Sequence, residues 1–408
     1  MVRKYDLYSS TFKANSYETF AQMRQDHPVW QQPGMDGQTL IWFVTGYDEA
    51  EMILRDDKRF TRDFRAIMPP ERLAQLPQDP IFSLVDNHLL NKDGADHRRL
   101  RGLVSKAFTP RMIGQMRPRI QAIADELLDQ IADQGTADLV ETYAFPLPII
   151  VIAELLGIPV ADRDKFRTWS DAIVTPALTP EAQAEFMTHL QAFVAYLRQL
   201  FEQRRQAPQP DLISALLQAE EAGDRLSEEE LFSMVILLII AGHETTVSLI
   251  GNATLALLQH PEQMAQLRQN PDLMPTAVEE FLRYDGPVER AMNRWVTEEV
   301  EINGRTLQPG DPIIVLIGGA NRDPAHFDDP DRLDIERNPT RHLAFGRGSH
   351  YCLGVPLARL EAEIALNTLL RRLPNLRLAV EPEELIWRLI PLFHSLGALP
   401  VRWDKDES

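Results

Sequence analysis

The chain has 408 residues, 44% of them hydrophobic, and a formal net charge of −18 from 42 Lys and Arg against 60 Asp and Glu. That length suits one large enzyme core, and the negative charge argues against non-specific binding of nucleic acid. A single cysteine, Cys352, excludes an internal disulfide framework and a multi-thiolate metal site.

In chain order, Met1-Val2-Arg3-Lys4-Tyr5-Asp6 lacks the apolar core of a signal peptide. The most apolar stretch, Met234–Ala241, falls short of the ~20 residues a membrane span needs, so the expectation is a cytoplasmic protein without a membrane anchor. Ile41–Val44 reads as a short strand after the turn Pro33-Gly34-Met35-Asp36-Gly37. Residues 62–95 hold several prolines and no sustained period, which predicts a long, mobile loop of the kind that forms lids. Seven Lys or Arg and no Asp or Glu fall within residues 97–124, a local excess that calls for an anion.

From Pro110 the pattern is mostly helical. An amphipathic helix is predicted over Ile113–Asp133, stopping at Gly135, and another over 181–206, ended by Pro208 and Pro210. Ser227-Glu228-Glu229-Glu230 is a capping box, and the run behind it predicts one long helix over 228–259, closed by His260-Pro261. A helix follows over Asp272–Tyr284. Asn303-Gly304 turns a hairpin, and Ile313–Ile317 is a strand. A last helix runs over Leu353–Leu373, with Pro356 tolerated in its first turn. The class is mainly α with small β-sheets, read as a single domain over 1–408.

The chemistry centres on Phe345-Gly346-Arg347-Gly348-Ser349-His350-Tyr351-Cys352-Leu353-Gly354. A lone cysteine is more often an inert filler. Here three glycines free the backbone for a tight bend, and a sulfur at the head of a helix faces backbone N–H groups that favour its negative charge. The pattern Phe-x-x-Gly-x-x-x-Cys-x-Gly resembles the cysteine loop of the cytochrome P-450 superfamily, the haem-thiolate monooxygenases. The resemblance implies the P-450 fold, with haem b (iron protoporphyrin IX) between the long helix and the cysteine loop. Cys352 is then the metal ligand, with Phe345, Gly346 and Gly354 shaping its surroundings.

Further motifs appear in family order. His97 and Arg101 lie one helical turn apart and resemble a clamp for a haem propionate; Arg294 and His350 match two more propionate positions. Ala241-Gly242-His243-Glu244-Thr245-Thr246 puts an acid and two hydroxyls in mid-helix, which is costly if they are simply buried. Ala241 and Thr245 share a face, and Gly242 admits a flat cofactor. The resemblance implies Glu244 as proton source and Thr245 as the hydroxyl that hands protons on, with Thr246 a weaker candidate for the same task. Glu280 and Arg283, with Arg332 as a third member, resemble a buried structural cluster. The other anion suited to the basic stretch is an electron donor protein: Arg98, Arg99, Lys106 and Arg111, with Arg347, are candidates to dock a ferredoxin served by a separate reductase, since no dinucleotide fingerprint is present.

The resemblance draws the walls of an apolar substrate pocket from Phe82, Leu84, Val85, Ile173, Val174, Leu237, Leu238, Ala241, Val288, Ala291, Leu392 and Phe393, with Glu289 and Arg290 either orienting a polar substrate group or exposed. The expected activity is O2-dependent hydroxylation or epoxidation of an apolar small molecule by a monomer, in secondary metabolism. The rival readings are a haem sensor or carrier, which would not need the acid–hydroxyl pair, and a peroxide-driven haem-thiolate enzyme.

Overall fold

The computed structural model describes residues 4–73, 84, 87–174, 179–219, 223–337 and 341–405. The chain packs as two units. The first comprises residues 1–68, 119–146 and 245–408, and the second residues 69–118 and 147–244.

Among the described residues every strand lies in the first unit. The strands are β1 (Val29–Pro33), β2 (Leu40–Val44), β3 (Phe60–Thr61), β4 (Thr136–Asp138), β5 (Arg294–Val296), β6 (Val300–Ile302), β7 (Arg305–Leu307), β8 (Pro312–Val315), β9 (Arg377–Leu378) and β10 (Pro400–Arg402). The main sheet has the order β1-β2-β8-β5-β3, with β2 and β8 parallel and the other pairs antiparallel. β4, β10 and β9 form a second sheet. The β6–β7 hairpin turns on Asn303 and Gly304, both left-handed at φ 50° and 70°, as a two-residue turn between twisted strands requires.

The apolar face of the main sheet packs on the Tyr47–Arg55 helix. Phe60, Val296, Ile313, Val315, Ile53 and Leu343 share this core. Leu343 thereby anchors the chain just ahead of the cysteine loop. A second core joins Leu249, Ala253 and Ala256 of the Glu228–Gln259 helix to Val278 and Phe281 of Met274–Tyr284 and to Ala362 and Leu366 of Val355–Arg372.

The second unit is helical. It includes Gly94–Ala107, Arg163–Val174, Pro180–Gln206, Leu212–Gln218 and the first half of Glu228–Gln259. Thr179 caps the Pro180–Gln206 helix by accepting from the Ala182 N–H at 3.2 Å. The capping box is reciprocal: the Glu230 N–H donates to Ser227 Oγ at 3.2 Å and the Ser227 N–H to Glu230 Oε2 at 2.9 Å.

Several sequence expectations need correction. The helix expected over Ile113–Asp133 is broken at Met116 into Pro110–Gln115 and Arg117–Asp129. Pro118 has no N–H to continue the first ladder and sits where a proline is tolerated, in the first turn of the next. The strand over Ile313–Ile317 ends at Val315, and Ile317 opens the short Ile317–Ala320 helix. Residues 62–95 are not all irregular, since Pro70–Leu73 and Leu89–Asn91 are helical turns; residues 74–83, 85 and 86 lie outside the described residues. By length and composition Glu228–Gln259 could cross a membrane, yet 72% of its apolar window is buried inside the structure, as in a core helix.

Glu280 and Arg283 are both fully buried and bonded twice, at 2.7 and 2.8 Å. The third side chain differs from the expected one. Arg337 Nε donates to Glu280 Oε1 at 3.2 Å, whereas the Arg332 side chain turns out to Asp334 at 2.9 Å and gives only its carbonyl to Arg283. The resemblance pointed to Arg332, but that side chain is mostly exposed beside Asp334, and Arg337 takes the place at Glu280. Arg337→Ala is therefore expected to lose about 1–3 kcal/mol of stability, the worth of a charge-assisted hydrogen bond. Arg332→Ala should stay within about 0.5 kcal/mol. Urea denaturation of the two variants side by side checks this.

Candidate active site

The cysteine loop is built from backbone constraints. Gly346 and Gly348 are left-handed at φ 69° and 73°, a conformation that disfavours side chains. A Cβ on Gly348 would also lie 2.8 Å from the Leu54 carbonyl oxygen. The Gly346 N–H donates to Leu343 O at 2.8 Å and the Cys352 N–H to Phe345 O at 2.9 Å, so the loop closes on itself. Its result is a cysteine that is exposed although cysteines are among the most buried residues. A Cβ on Gly354 would lie 3.7 Å from Cys352 Sγ, and Val355–Arg372 begins one residue later. An accessible cysteine sulfur near a helix N-terminus, on a loop closed by its own backbone bonds, suits a haem iron, which takes a deprotonated sulfur.

The loop is held from behind through Phe345. The Arg359 guanidinium lies 5.4 Å from its ring centroid, and the His342 and Tyr351 rings lie at 5.8 and 6.5 Å. Arg359 is itself fixed by a bidentate pair with Glu279 at 2.6 and 2.7 Å, and His342 Nε2 reaches Glu279 Oε2 at 3.2 Å. Burial would raise the Glu279 carboxyl, but the hydrogen bonds and charges of His342 and Arg359 overcome it and hold the pKa at about 2.

Within the Glu228–Gln259 helix, Ala241 is exposed, Ile240, Gly242 and Thr245 are half-buried, and His243, Glu244 and Thr246 are buried. The boundary between the two units falls between Glu244 and Thr245. An open position in the middle of a core helix leaves room for a flat group, and the acid and hydroxyls stand one turn or less from it. In the first unit Thr246 hydrogen-bonds Glu361, a fully buried acid that burial pushes well above the ordinary carboxylate range while the Thr246 hydroxyl pulls it back. Sequence reasoning missed Glu361. The available signal was its position four residues from both Leu357 and Ala365, which makes it an acid on the apolar face of its helix.

The basic candidates divide between the units. In the second, His97 is buried and Arg101 half-buried on Gly94–Ala107. Arg99 is engaged by Glu230 and by Asp224 at 3.4 Å, which occupies one of the cations expected to meet a partner protein; Arg98, Lys106 and Arg111 are exposed. In the first, Arg294 is buried and donates to Phe60 O at 2.8 Å and Leu54 O at 3.2 Å, with Asp57 at 3.3 Å. His350 is half-buried next to Ser349, whose hydroxyl donates to Asp57.

The family model for Cytochrome P450 matches residues 169–384. The polyketide biosynthesis cytochrome P450 PksS of Bacillus subtilis is 43% identical over 401 residues, covering 98% of each chain. The cytochrome P450 monooxygenase PikC of Streptomyces venezuelae is 44% identical over 397 residues, 97% of this chain and 92% of that one. Among solved structures, PksS superposes with a TM-score of 0.91 over 98% of this chain and 100% of that one. The myxobacterial cytochrome P450 CYP267B1 in complex with myristic acid does so at 0.90, with 43% identity and 98% of each chain covered. The chain is a cytochrome P450. It is a haem-dependent monooxygenase, similar to bacterial members of the family.

In this P450 the pocket candidates fall into three groups. Phe82 and Val85 lie outside the described residues, as do the side chains of Ile173 and Val174. In the second unit Leu84 is half-buried and its carbonyl accepts from Ser233 Oγ at 2.7 Å, while Leu237 is buried and Leu238 half-buried on the long helix. In the first, Val288 pairs with Phe393 across an antiparallel bridge, and Ala291 and Leu392 are half-buried. Glu289 and Arg290 are neither exposed nor open to a substrate. Both are buried, Glu289 against Lys13 at 3.0 Å and Arg290 against Glu289 at 3.0 Å and the Leu7 carbonyl.

The depressed Glu279 pKa fixes a sign. Its stabilising contribution is complete above the ordinary value of 4.5 and lost as pH falls towards about 2. Glu279→Gln should therefore lower the urea midpoint at neutral pH, and the gap to the wild type should close as the measurement moves below 4.5.

Proposed function

We propose that this P450 inserts one atom of O2 into a C–H or C=C bond of an apolar small molecule and releases the other as water. Two protons and two electrons are consumed, the electrons coming from NAD(P)H through a reductase and a separate ferredoxin. The carrying observation is the exposed lone thiol of Cys352 on its glycine-bent loop.

Haem, when bound, supplies the oxygen-activating redox chemistry. Cys352 would ligate the iron, with Phe345 packed against the loop and Gly346 and Gly354 leaving space at the sulfur. His97, Arg101, Arg294 and His350 would hold the propionates, and Ala241 would leave room for the ring. With one cysteine the chain cannot form the pair of thioether links of a c-type attachment, which supports non-covalent haem b. Glu244 would supply protons and Thr245 would hold one at its hydroxyl for delivery, with Thr246 and the buried acid Glu361 as a second store. Glu280, Arg283 and Arg337 would keep the loop in place.

Arg98, Lys106 and Arg111 would steer an acidic ferredoxin by charge. Arg347, which leans on Glu51 at 3.4 Å, would contribute less. We place the reaction in the cytoplasm, in a monomer that forms one functional domain. The substrate class favoured is a polyketide- or fatty-acyl-like molecule, in keeping with relatives named for polyketide biosynthesis and a neighbour bound to myristic acid. The apolar side chains Leu237, Leu238, Val288, Leu392 and Phe393 suit it.

The reduced, carbon-monoxide-bound spectrum tests the ligand. The wild type should show the strongly red-shifted main band of a thiolate-ligated haem. Cys352→His should move that band to the blue, and a thiolate-type band surviving in Cys352→Ala would refute the assignment. Thr245→Ala should keep the substrate-induced spin-state change while diverting NAD(P)H consumption to hydrogen peroxide, by about tenfold or more. Unchanged coupling would remove Thr245 from proton delivery.

A further inference from the structure

The N-terminal segment carries a lysine that burial alone does not justify. Lys13 is 1% exposed. Its Nζ donates to Glu289 Oε2 at 3.0 Å and to the Phe393 carbonyl at 2.9 Å. One ammonium thus ties together two segments distant in sequence. They meet again at the Leu392 carbonyl, which accepts from the Glu289 N–H at 3.0 Å, and at the Val288–Phe393 bridge. Arg290 closes the other side: it bonds Glu289 and the Leu7 carbonyl, and its guanidinium lies 4.9 Å from the Tyr8 ring centroid. His394 continues the network, with Nε2 3.2 Å from Asp285 and its ring stacked on Trp387 at 3.8 Å.

A buried ion pair is a poor device for stability, because apolar residues of equal volume often do as well. It is a good device for position, because charge and hydrogen-bond direction allow one arrangement. Val288 precedes Glu289 and pairs with Phe393, so the ammonium that binds the Glu289 carboxylate and the Phe393 carbonyl acts directly on the two segments assigned above to substrate.

We propose that Lys13 is a specificity-determining positioning residue, which fixes the spacing of the Val288 and Phe393 segments and so the shape of the substrate wall they form. This rests on the pocket reading given under the proposed function. The residue touches no substrate; it acts through Glu289 and the Phe393 backbone.

The test uses the haem-loaded full chain and three probes: imidazole, phenylimidazole and myristic acid. Imidazole binds iron with little reach, whereas the other two extend to the wall. Lys13→Met should keep the carbon-monoxide band and the imidazole affinity, and change the affinity of phenylimidazole or myristic acid by about tenfold, as for a reshaped apolar pocket. If Lys13→Met fails to fold, Glu289→Gln keeps the shape and one acceptor oxygen while removing the charge, and the same shift is expected. Unchanged affinities for all three probes in a folded variant would overturn the proposal alone. So would an equal change for imidazole, which would mean general damage. A wild type without the thiolate band, or one that binds neither extended probe, would instead overturn the functional reading beneath it.

Discussion

The cysteine loop depends on a carboxylate that stands on another helix, Met274–Tyr284. Glu280 accepts from Arg283 twice, from Arg337, and from the Asp334 N–H at 3.0 Å. Arg283 in turn donates to the carbonyls of Asn321, Pro330 and Arg332. Asn321 passes the constraint on, since its Oδ1 accepts from the Leu343 N–H at 2.6 Å. From Leu343 two backbone bonds lead to Cys352. The sulfur is thus located by a chain of hydrogen bonds that starts in a fully buried ion pair. Such a pair contributes little net stability for its desolvation, but removing one partner strands a charge, so the segments are held in one register.

The same logic explains why the loop can present its sulfur outward. Exposing a reactive group and holding it still are competing demands, because exposed loops move. Here Cys352 is exposed while the loop around it is anchored at several points. Leu343 sits in the sheet core, Gly348 packs on the backbone of the Tyr47–Arg55 helix, and Phe345 lies under Arg359, His342 and Tyr351. Rigidity comes from what surrounds the sulfur, and access from the absence of side chains at the glycines.

Much of this was legible in the sequence, for identifiable reasons. The Glu228–Gln259 helix could be read because its capping box, apolar run and terminal proline agree. The cysteine loop could be read because glycine at a left-handed position has few substitutes. Legibility failed where side chains choose among several equivalent partners. Arg332 and Arg337 are both plausible mates for Glu280, and the intervening turn decides between them. Glu289 and Arg290 look like exposed polar residues until the N-terminal Lys13, 276 positions away, is folded onto them. Glu361 went unremarked because nothing in the sequence shows that it is buried beside Thr246. In each case the missing information was tertiary: which buried charge meets which.

This division bears on how such an enzyme can diversify. The parts that hold the sulfur are specified by backbone geometry and by charged groups with several simultaneous bonds, so a single change breaks more than one contact. The parts assigned to substrate are apolar side chains, and apolar side chains of similar volume exchange at modest cost. A wall made of such residues can change its chemistry without losing the fold, provided that its backbone stays in place. Under the inference drawn above, Lys13 and Glu289, both buried and paired, supply that proviso. With the substrate wall as proposed, selectivity would be altered by two routes: replacing Val288, Leu392 or Phe393 where they stand, or moving the backbone that carries them through the Lys13 contact.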